Sequence, residues 1–301
     1  PILYSAAHGK DQSSSFQAEV AAIDSLPAKK VKVGDIDMAY KLLGNGSNTP
    51  IVLITGCCTT MDMWNPTVLK ELSLNHTVII FDNRGAGETT LGTSEFLINQ
   101  FANDTIGLLD ALKIQKANVF GISMGSIIAQ ELALMNPNRV DSLILAASTC
   151  SGPDAVPPNS QVIQALEAMT NTSLSSPTQE GIRRITSTLF PEAWFKANPN
   201  YDEYIPLPKE SVSPQIVQKQ TNAIVNWSTT GTCSNLTNIT QPTLVMVGTD
   251  DIWTPVANSL MMAEKIPAAW LVQIRDAGHG LIYQYPDKIN KILATFLQTT
   301  G

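Results

Sequence analysis

KANVFGISMGSIIAQ, residues Lys116 to Gln130, is the stretch whose reading decides the fold. Ala117 to Phe120 is a short apolar run of the kind that forms a buried strand. It stops at Gly121-Ile122-Ser123-Met124-Gly125. Ser126 to Met135 then reads as a helix with apolar residues on all sides, as in a buried helix. A strand, a sharp turn and a helix, with serine at the bend and glycine two residues to either side, form a nucleophile elbow. The glycines have a steric reason, because the bend crowds two chain segments and lifts the Ser123 hydroxyl clear of the sheet. The alternative is a chance G-x-S-x-G in a chain with 18 glycines. The flanking strand and helix argue for the elbow.

Outward from this stretch the chain alternates. Residues 1–27 are mostly polar and read as an N-terminal arm, with one helix expected over Phe16 to Ile23. Val31 to Gly34 and Asp37 to Leu43 read as a strand pair. Ile51 to Thr55, Thr77 to Phe81 and Ser142 to Ala146 are continuous apolar runs, expected as strands covered on both faces. Met63 to Leu72 and Ile98 to Leu112 read as helices. The rhythm breaks at Ser151 and resumes with a strand at Thr243 to Val247, a helix at Val256 to Ile266, a strand at Trp270 to Ile274 and a helix at Ile289 to Leu297. Alternation of this kind implies an α/β fold, a mostly parallel, doubly wound sheet. The expected division is a core of 28–150 and 233–301, interrupted by a helical cap at 151–232.

Composition narrows the function classes. Hydrophobic residues make up 44% of the 301 and charged residues 15%, which excludes a disordered chain. A formal net charge of -7 argues against a nucleic-acid partner. No uninterrupted apolar run is long enough for an integral membrane segment. Cys57 and Cys58 are adjacent, and Cys150 and Cys233 stand alone, so no zinc-site spacing exists and no metal is expected. Cys150 and Cys233 bracket the insertion. A disulfide there is expected if both ends return to one sheet edge, and two unrelated buried thiols are the alternative. Pro1 to Gly9 reads as the tail of an export signal, with a polar arm as the alternative. Asn-x-Ser/Thr sequons begin at Asn45, Asn75, Asn103, Asn171, Asn226, Asn235 and Asn238. Together these give an expectation of export, with a cytoplasmic location as the alternative.

A serine hydroxyl needs a base to take its proton, and histidine is the usual one. The chain has three histidines. His8 lies in the arm and His76 precedes a strand. His279, in Asp276-Ala277-Gly278-His279-Gly280, follows the last strand, where a doubly wound sheet presents its reactive groups. Elimination favours His279 over a merely structural histidine. An imidazole base needs an acid to hold its tautomer. Gly248-Thr249-Asp250-Asp251 offers two, and Asp251, deeper in the loop, is preferred, with Asp250 as the local alternative. Two backbone donors must meet a developing oxyanion. The N–H of Met124, at the helix start, supplies one and that of Cys57, in Thr55-Gly56-Cys57-Cys58, the other. Adjacent cysteines also admit thiol catalysis or redox chemistry, although loop position alone explains them.

With TGCCTTMDMW (55–64), DNRGAG (82–87), GISMGS (121–126), GTDDIWTP (248–255) and AGHG (277–280) in that order, residues from about 30 to 299 resemble the α/β-hydrolase superfamily. The resemblance implies the α/β-hydrolase fold with an inserted helical cap. It matches Ser123, Asp251 and His279 to a catalytic triad and Cys57 and Met124 to the oxyanion hole. The chain departs from the family at Thr55, where His commonly precedes the loop glycine. A serine nucleophile sets it apart from the branches that use aspartate, the haloalkane dehalogenases and epoxide hydrolases. The implied reaction is acyl transfer to water without a cofactor, on carboxylic esters of small or medium size. Lactone hydrolysis uses the same parts. Carbon–carbon hydrolysis, perhydrolysis and a triad-bearing ligand receptor with little turnover are the further alternatives. In the cap, Trp194, Phe195 and Trp227, with Met169 and Phe190, are candidates to line an apolar substrate pocket, and packing among cap helices is the other reading.

Overall fold

The computed structural model describes residues 15–171, 185–203, 205–206, 209 and 212–300. His8, the signal-like stretch Pro1 to Gly9 and the side chains of Met169 and Asn171 lie outside the described residues.

Eight strands form one sheet in the order β1-β2-β4-β3-β5-β6-β7-β8. They are β1 (Lys29–Val33), β2 (Ile36–Leu43), β3 (Asn48–Ile54), β4 (His76–Phe81), β5 (Ala117–Ile122), β6 (Val140–Ala146), β7 (Thr243–Gly248) and β8 (Ala269–Ile274). From β4 to β8 all neighbours are parallel. Only the β1–β2 hairpin and its seam with β4 are antiparallel. The α/β-hydrolase fold expected from the sequence is therefore the fold observed.

Period-two geometry makes this sheet the centre of two cores. Val52 and Ile54, Ile79 and Phe81, Val119, and Leu143 and Leu145 face one cluster. Helices α3 (Ile98–Ala111) and α4 (Met124–Met135) cover that face with Phe101, Leu108, Ile128 and Leu132. The alternate residues Ile51 and Leu53, Val78 and Ile80, Phe120, and Ile144 face the other cluster. There α2 (Pro66–Ser73) and α11 (Pro286–Thr300) contribute Val68, Leu69, Leu293 and Phe296. With both faces covered, the strands must be apolar throughout, which is why they read as unbroken runs. The remaining core helices are α1 (15–25), α9 (Val256–Lys265) and α10 (Leu281–Gln284).

Between β6 and β7 the described residues hold helices and no strand: α5 (Ser160–Asn171), α6 (185–189), α7 (Glu192–Ala197) and α8 (Pro214–Ser228). Both ends of this excursion meet. Cys150 and Cys233 form a disulfide across 83 residues, and the Thr232 N–H donates to the Cys150 carbonyl at 2.7 Å. The excursion is thus tied at its base, and Thr188, Leu189 and Gln220 within it bond to the loops after β7, β8 and β3. Arg84 is fully buried in the loop after β4. Its guanidinium holds Asp104 through two bonds of 2.7 Å and reaches Asp35 at 3.2 Å, so the buried charge is paired in the fork geometry that a buried arginine needs.

Candidate active site

Ser123 sits between the end of β5 and the start of α4 at φ 55 and ψ -122, a conformation that non-glycine residues enter only where the surroundings enforce it. The helix begins at Met124, two residues earlier than the periodicity suggests, because the elbow turns within one residue. The surroundings are backbone. A methyl group on Gly125 would lie 2.0 Å from the Ile54 carbonyl oxygen, and one on Gly121 would lie 2.2 Å from that of Gly125. Neither could be accommodated, so the glycines allow β3, β5 and α4 to close on one another.

Three side chains from separate loops converge here. His279 lies in the loop after β8, and its Nε2 is 3.0 Å from the Ser123 Oγ. Its Nδ1 is 3.0 Å from Oδ2 and 3.1 Å from Oδ1 of Asp251, which lies in the loop after β7. Burial pushes the Asp251 carboxyl upward, but the His279 ring beside it and the bonds from Thr254 outweigh it and hold the carboxyl below its usual range. An ionised Asp251 can only accept. The Nδ1 therefore carries the proton, and the Nε2 lone pair faces the serine hydroxyl. Asp251 is itself fixed by the N–H groups of Trp253 and Thr254 at 2.8 and 2.9 Å and by the Thr254 hydroxyl at 2.8 Å. Asp250, the other acid in that loop, is exposed. His76 is engaged elsewhere, its Nδ1 2.8 Å from the Thr49 carbonyl.

Cys57 lies in the turn after β3, and its neighbour Gly56 sits against the serine: a Cβ on Gly56 would be 3.3 Å from the Ser123 Cβ. Met124 is the first residue of α4, so its N–H points out of the helix end beside Ser123. The loop carrying Cys57 is braced from below. Asn83 donates to the Thr55 hydroxyl at 3.2 Å, and Asp82 accepts the Met61 N–H at 2.7 Å. From above, Gln220 of α8 accepts the Cys58 N–H at 2.7 Å. Thr55 thus has a partner for the hydroxyl that stands where the family commonly has histidine.

The Asp82 brace has a pH signature. Burial raises its carboxyl to about 6, with neighbouring Asp62 and Glu88 adding to the shift and two backbone N–H bonds opposing it. A carboxyl raised above its unfolded value holds more protons in the native state, so stability is highest at low pH and is lost as pH climbs through that window. We expect stability to fall by about 2 kcal/mol between pH 4 and pH 7 from this group. In Asp82→Asn, urea unfolding followed across that range should show this component flattened.

The aromatic residues divide. Trp194 and Phe195 join Phe190 and Tyr201 in one cluster, with the Trp194 and Phe190 rings stacked 4.7 Å apart. Phe190 packs on Gly280, and the Gly280 N–H donates to the Leu189 carbonyl at 2.9 Å, so the cluster presses on the loop of His279. Trp227 is a correction to the pocket expectation. It is a core residue, its indole N–H given to Glu131 at 2.7 Å, and it makes no bond or ring contact with Ser123, His279 or Asp251. Two residues escaped sequence reasoning. Trp253 stacks on the His279 imidazole at 5.3 Å and is anchored to Thr188 of the cap at 3.1 Å. Its place two residues after Asp251, in an Asx turn, is the signal that could have marked it. Gln284 accepts the Gly278 N–H at 2.7 Å and so shapes the histidine loop, with no signal in the sequence.

Comparison with known proteins follows this geometry. The chain is 27% identical over 268 residues to RutD of Azorhizobium caulinodans, provisionally named a carbamate hydrolase, covering 87% of this chain and 96% of that one. It is 26% identical over 268 residues to 3-oxoadipate enol-lactonase 2 of Acinetobacter baylyi, covering 85% and 91%. Among solved structures, a thermophilic esterase from Thermogutta terrifontis superposes with a TM-score of 0.76 at 24% identity over 91% of this chain and 99% of that one, a likeness of fold. The family described as alpha/beta hydrolase fold matches residues 49–286, and the chain belongs to that family.

Proposed function

We propose that the protein is a serine hydrolase that cleaves carboxylic esters of small or medium size through an acyl-enzyme. The observation that carries this reading is the unbroken relay from the Ser123 hydroxyl to the His279 imidazole and on to the Asp251 carboxylate, each contact at 3.0 Å. Ser123 attacks the ester carbonyl as its proton passes to the His279 Nε2, and Asp251 stabilises the imidazolium. The N–H groups of Cys57 and Met124 receive the oxyanion. His279 then protonates the leaving alcohol. Water deprotonated by His279 attacks the acyl-enzyme, and the carboxylic acid leaves Ser123 free. Trp253 and the Phe190, Trp194 and Phe195 cluster shape the approach to this carbonyl site.

Lactone hydrolysis is the second reading, favoured by the relative named as an enol-lactonase. It differs only in that the leaving alcohol stays attached to the acyl group. A panel of nitrophenyl esters of graded chain length, lactones and a carbamate, run on wild type and Ser123→Ala, tests both. We expect the fastest serine-dependent turnover on short or medium esters. A lactone preferred by tenfold or more would make the second reading the better one, and binding with equal inertness in both proteins would favour a receptor. Export belongs to the same proposal. The Cys150–Cys233 disulfide suits an oxidising compartment, and the sequon asparagines among the described residues, at 45, 75, 103, 226, 235 and 238, are all exposed.

A further inference from the structure

Cys57 and Cys58 are free thiols in the turn that carries one proposed oxyanion donor, both partly buried, with their Sγ atoms 2.6 Å apart. A sulfur–sulfur bond measures about 2.05 Å, so the two atoms stand close to bonding distance. In extended chain, neighbouring side chains point to opposite sides. Here Cys58 takes φ 64, the left-handed region that a non-glycine residue rarely enters, and the alternation is lost. Cys58 also gives its N–H to Gln220 at 2.7 Å, which ties the turn to the cap.

We propose that Cys57 and Cys58 form a redox modification site, oxidised by a small-molecule disulfide to a vicinal disulfide that reversibly lowers hydrolysis at Ser123. The effect on hydrolysis rests on the function proposed above, whereas the sulfur chemistry does not. The hydrogen bond to Cys57 and burial push the Cys58 thiol above its ordinary value, which leaves Cys57 as the attacking sulfur. Cys57 sulfur displaces one thiol from the small disulfide and forms a mixed disulfide, its proton going to the departing thiolate. Cys58 sulfur then attacks the Cys57 Sγ and releases the second small thiol with the Cys58 proton. Two protein S–H bonds and one external S–S bond become one protein S–S bond and two thiols; the protein is oxidised and the disulfide reduced.

The eight-membered ring so formed contains the peptide group whose N–H bonds Gln220. Adjacent Cα atoms are about 3.8 Å apart. Bridged cysteines usually stand about 4.4–6.8 Å apart. Ring closure therefore strains this peptide, and on the proposal it displaces Cys57 and its N–H, the donor assigned to the oxyanion. A strained bond of this kind is reduced before a buried one such as Cys150–Cys233.

The test uses the full chain with Cys150–Cys233 intact. It is treated with oxidised glutathione, alkylated and digested, and the peptide carrying both cysteines is weighed. Expected is a peptide two hydrogens lighter with no alkyl group, accompanied by at least a tenfold loss of nitrophenyl ester hydrolysis that a mild thiol reverses. In Cys58→Ser the reaction should stall as a glutathione adduct on Cys57. Two alkylated cysteines after oxidation would overturn the site. A disulfide formed with ester hydrolysis unchanged would overturn its effect on Ser123. A disulfide in a protein already inert when reduced would support the sulfur site and contradict the hydrolase reading.

Discussion

Ser123→Ala should lower kcat for nitrophenyl butyrate by about 10⁴- to 10⁶-fold while leaving the thermal unfolding transition almost in place. Ser123 is partly exposed and, among the described residues, its hydroxyl bonds His279 alone, so its removal creates no cavity in either core. What disappears is the nucleophile. Asp251→Asn should fall by about 10⁴-fold for a different reason. An amide can donate to the His279 Nδ1, which moves the imidazole proton to Nε2 and leaves no lone pair for the serine proton. Its Oδ1 can still accept from Trp253 and Thr254, so the loop should persist. Steady-state kinetics beside circular dichroism on both variants would separate loss of chemistry from loss of fold. Retention of more than a tenth of wild-type kcat in either would remove that residue from the mechanism.

Gly125→Val is the second large effect, and it is structural. A Cβ at this position falls 2.0 Å from the Ile54 carbonyl oxygen and 2.7 Å from that of Thr55. These are backbone atoms of β3 and the turn behind it, and β3 is hydrogen-bonded to both β4 and β5. No rotamer change can relieve such a clash, so the helix must leave the sheet. Displacing α4 exposes Ile127, Ile128, Ala129 and Leu132, a large share of one core. The loss is comparable to the stability of a whole domain, about 5–15 kcal/mol. We expect no cooperative unfolding transition for Gly125→Val by differential scanning calorimetry. A variant that melts within a few degrees of wild type would mean that the elbow does not pack on β3 as described.

The same glycines explain how far the sequence could be read. A strained turn needs special residues at fixed offsets, and Gly121, Ser123 and Gly125 announce it locally. Strands buried on both faces announce themselves as apolar runs, so the sheet was legible from Ile51, Val78, Val119 and Leu143 onward. His279 and Asp251 could be named because loops after parallel strands gather at one edge of the sheet. The stack of Trp253 on His279, the Phe190 contact with Gly280 and the Gln220 bond to Cys58 were not legible. The stack of Trp253 on His279 joins two core loops, whereas the Trp253 bond to Thr188, the Phe190 contact and the Gln220 bond each join the cap to a core loop between 65 and 162 residues away in the chain. No local periodicity encodes such pairings; they follow from where the cap helices come to rest. Trp227 stayed open between two readings for the same reason: its aromatic character fits a pocket and a core equally, and its burial and its bond to Glu131 place it in the core.

The most direct test of the account is covalent. The protein is incubated with a fluorophosphonate, which reacts with a serine only when a base has activated it, and the adduct is located by peptide mass spectrometry. The account predicts one adduct per chain, on Ser123, formed far more slowly in His279→Ala and absent in Ser123→Ala. An unlabelled wild-type protein, or label on any other residue, would contradict it.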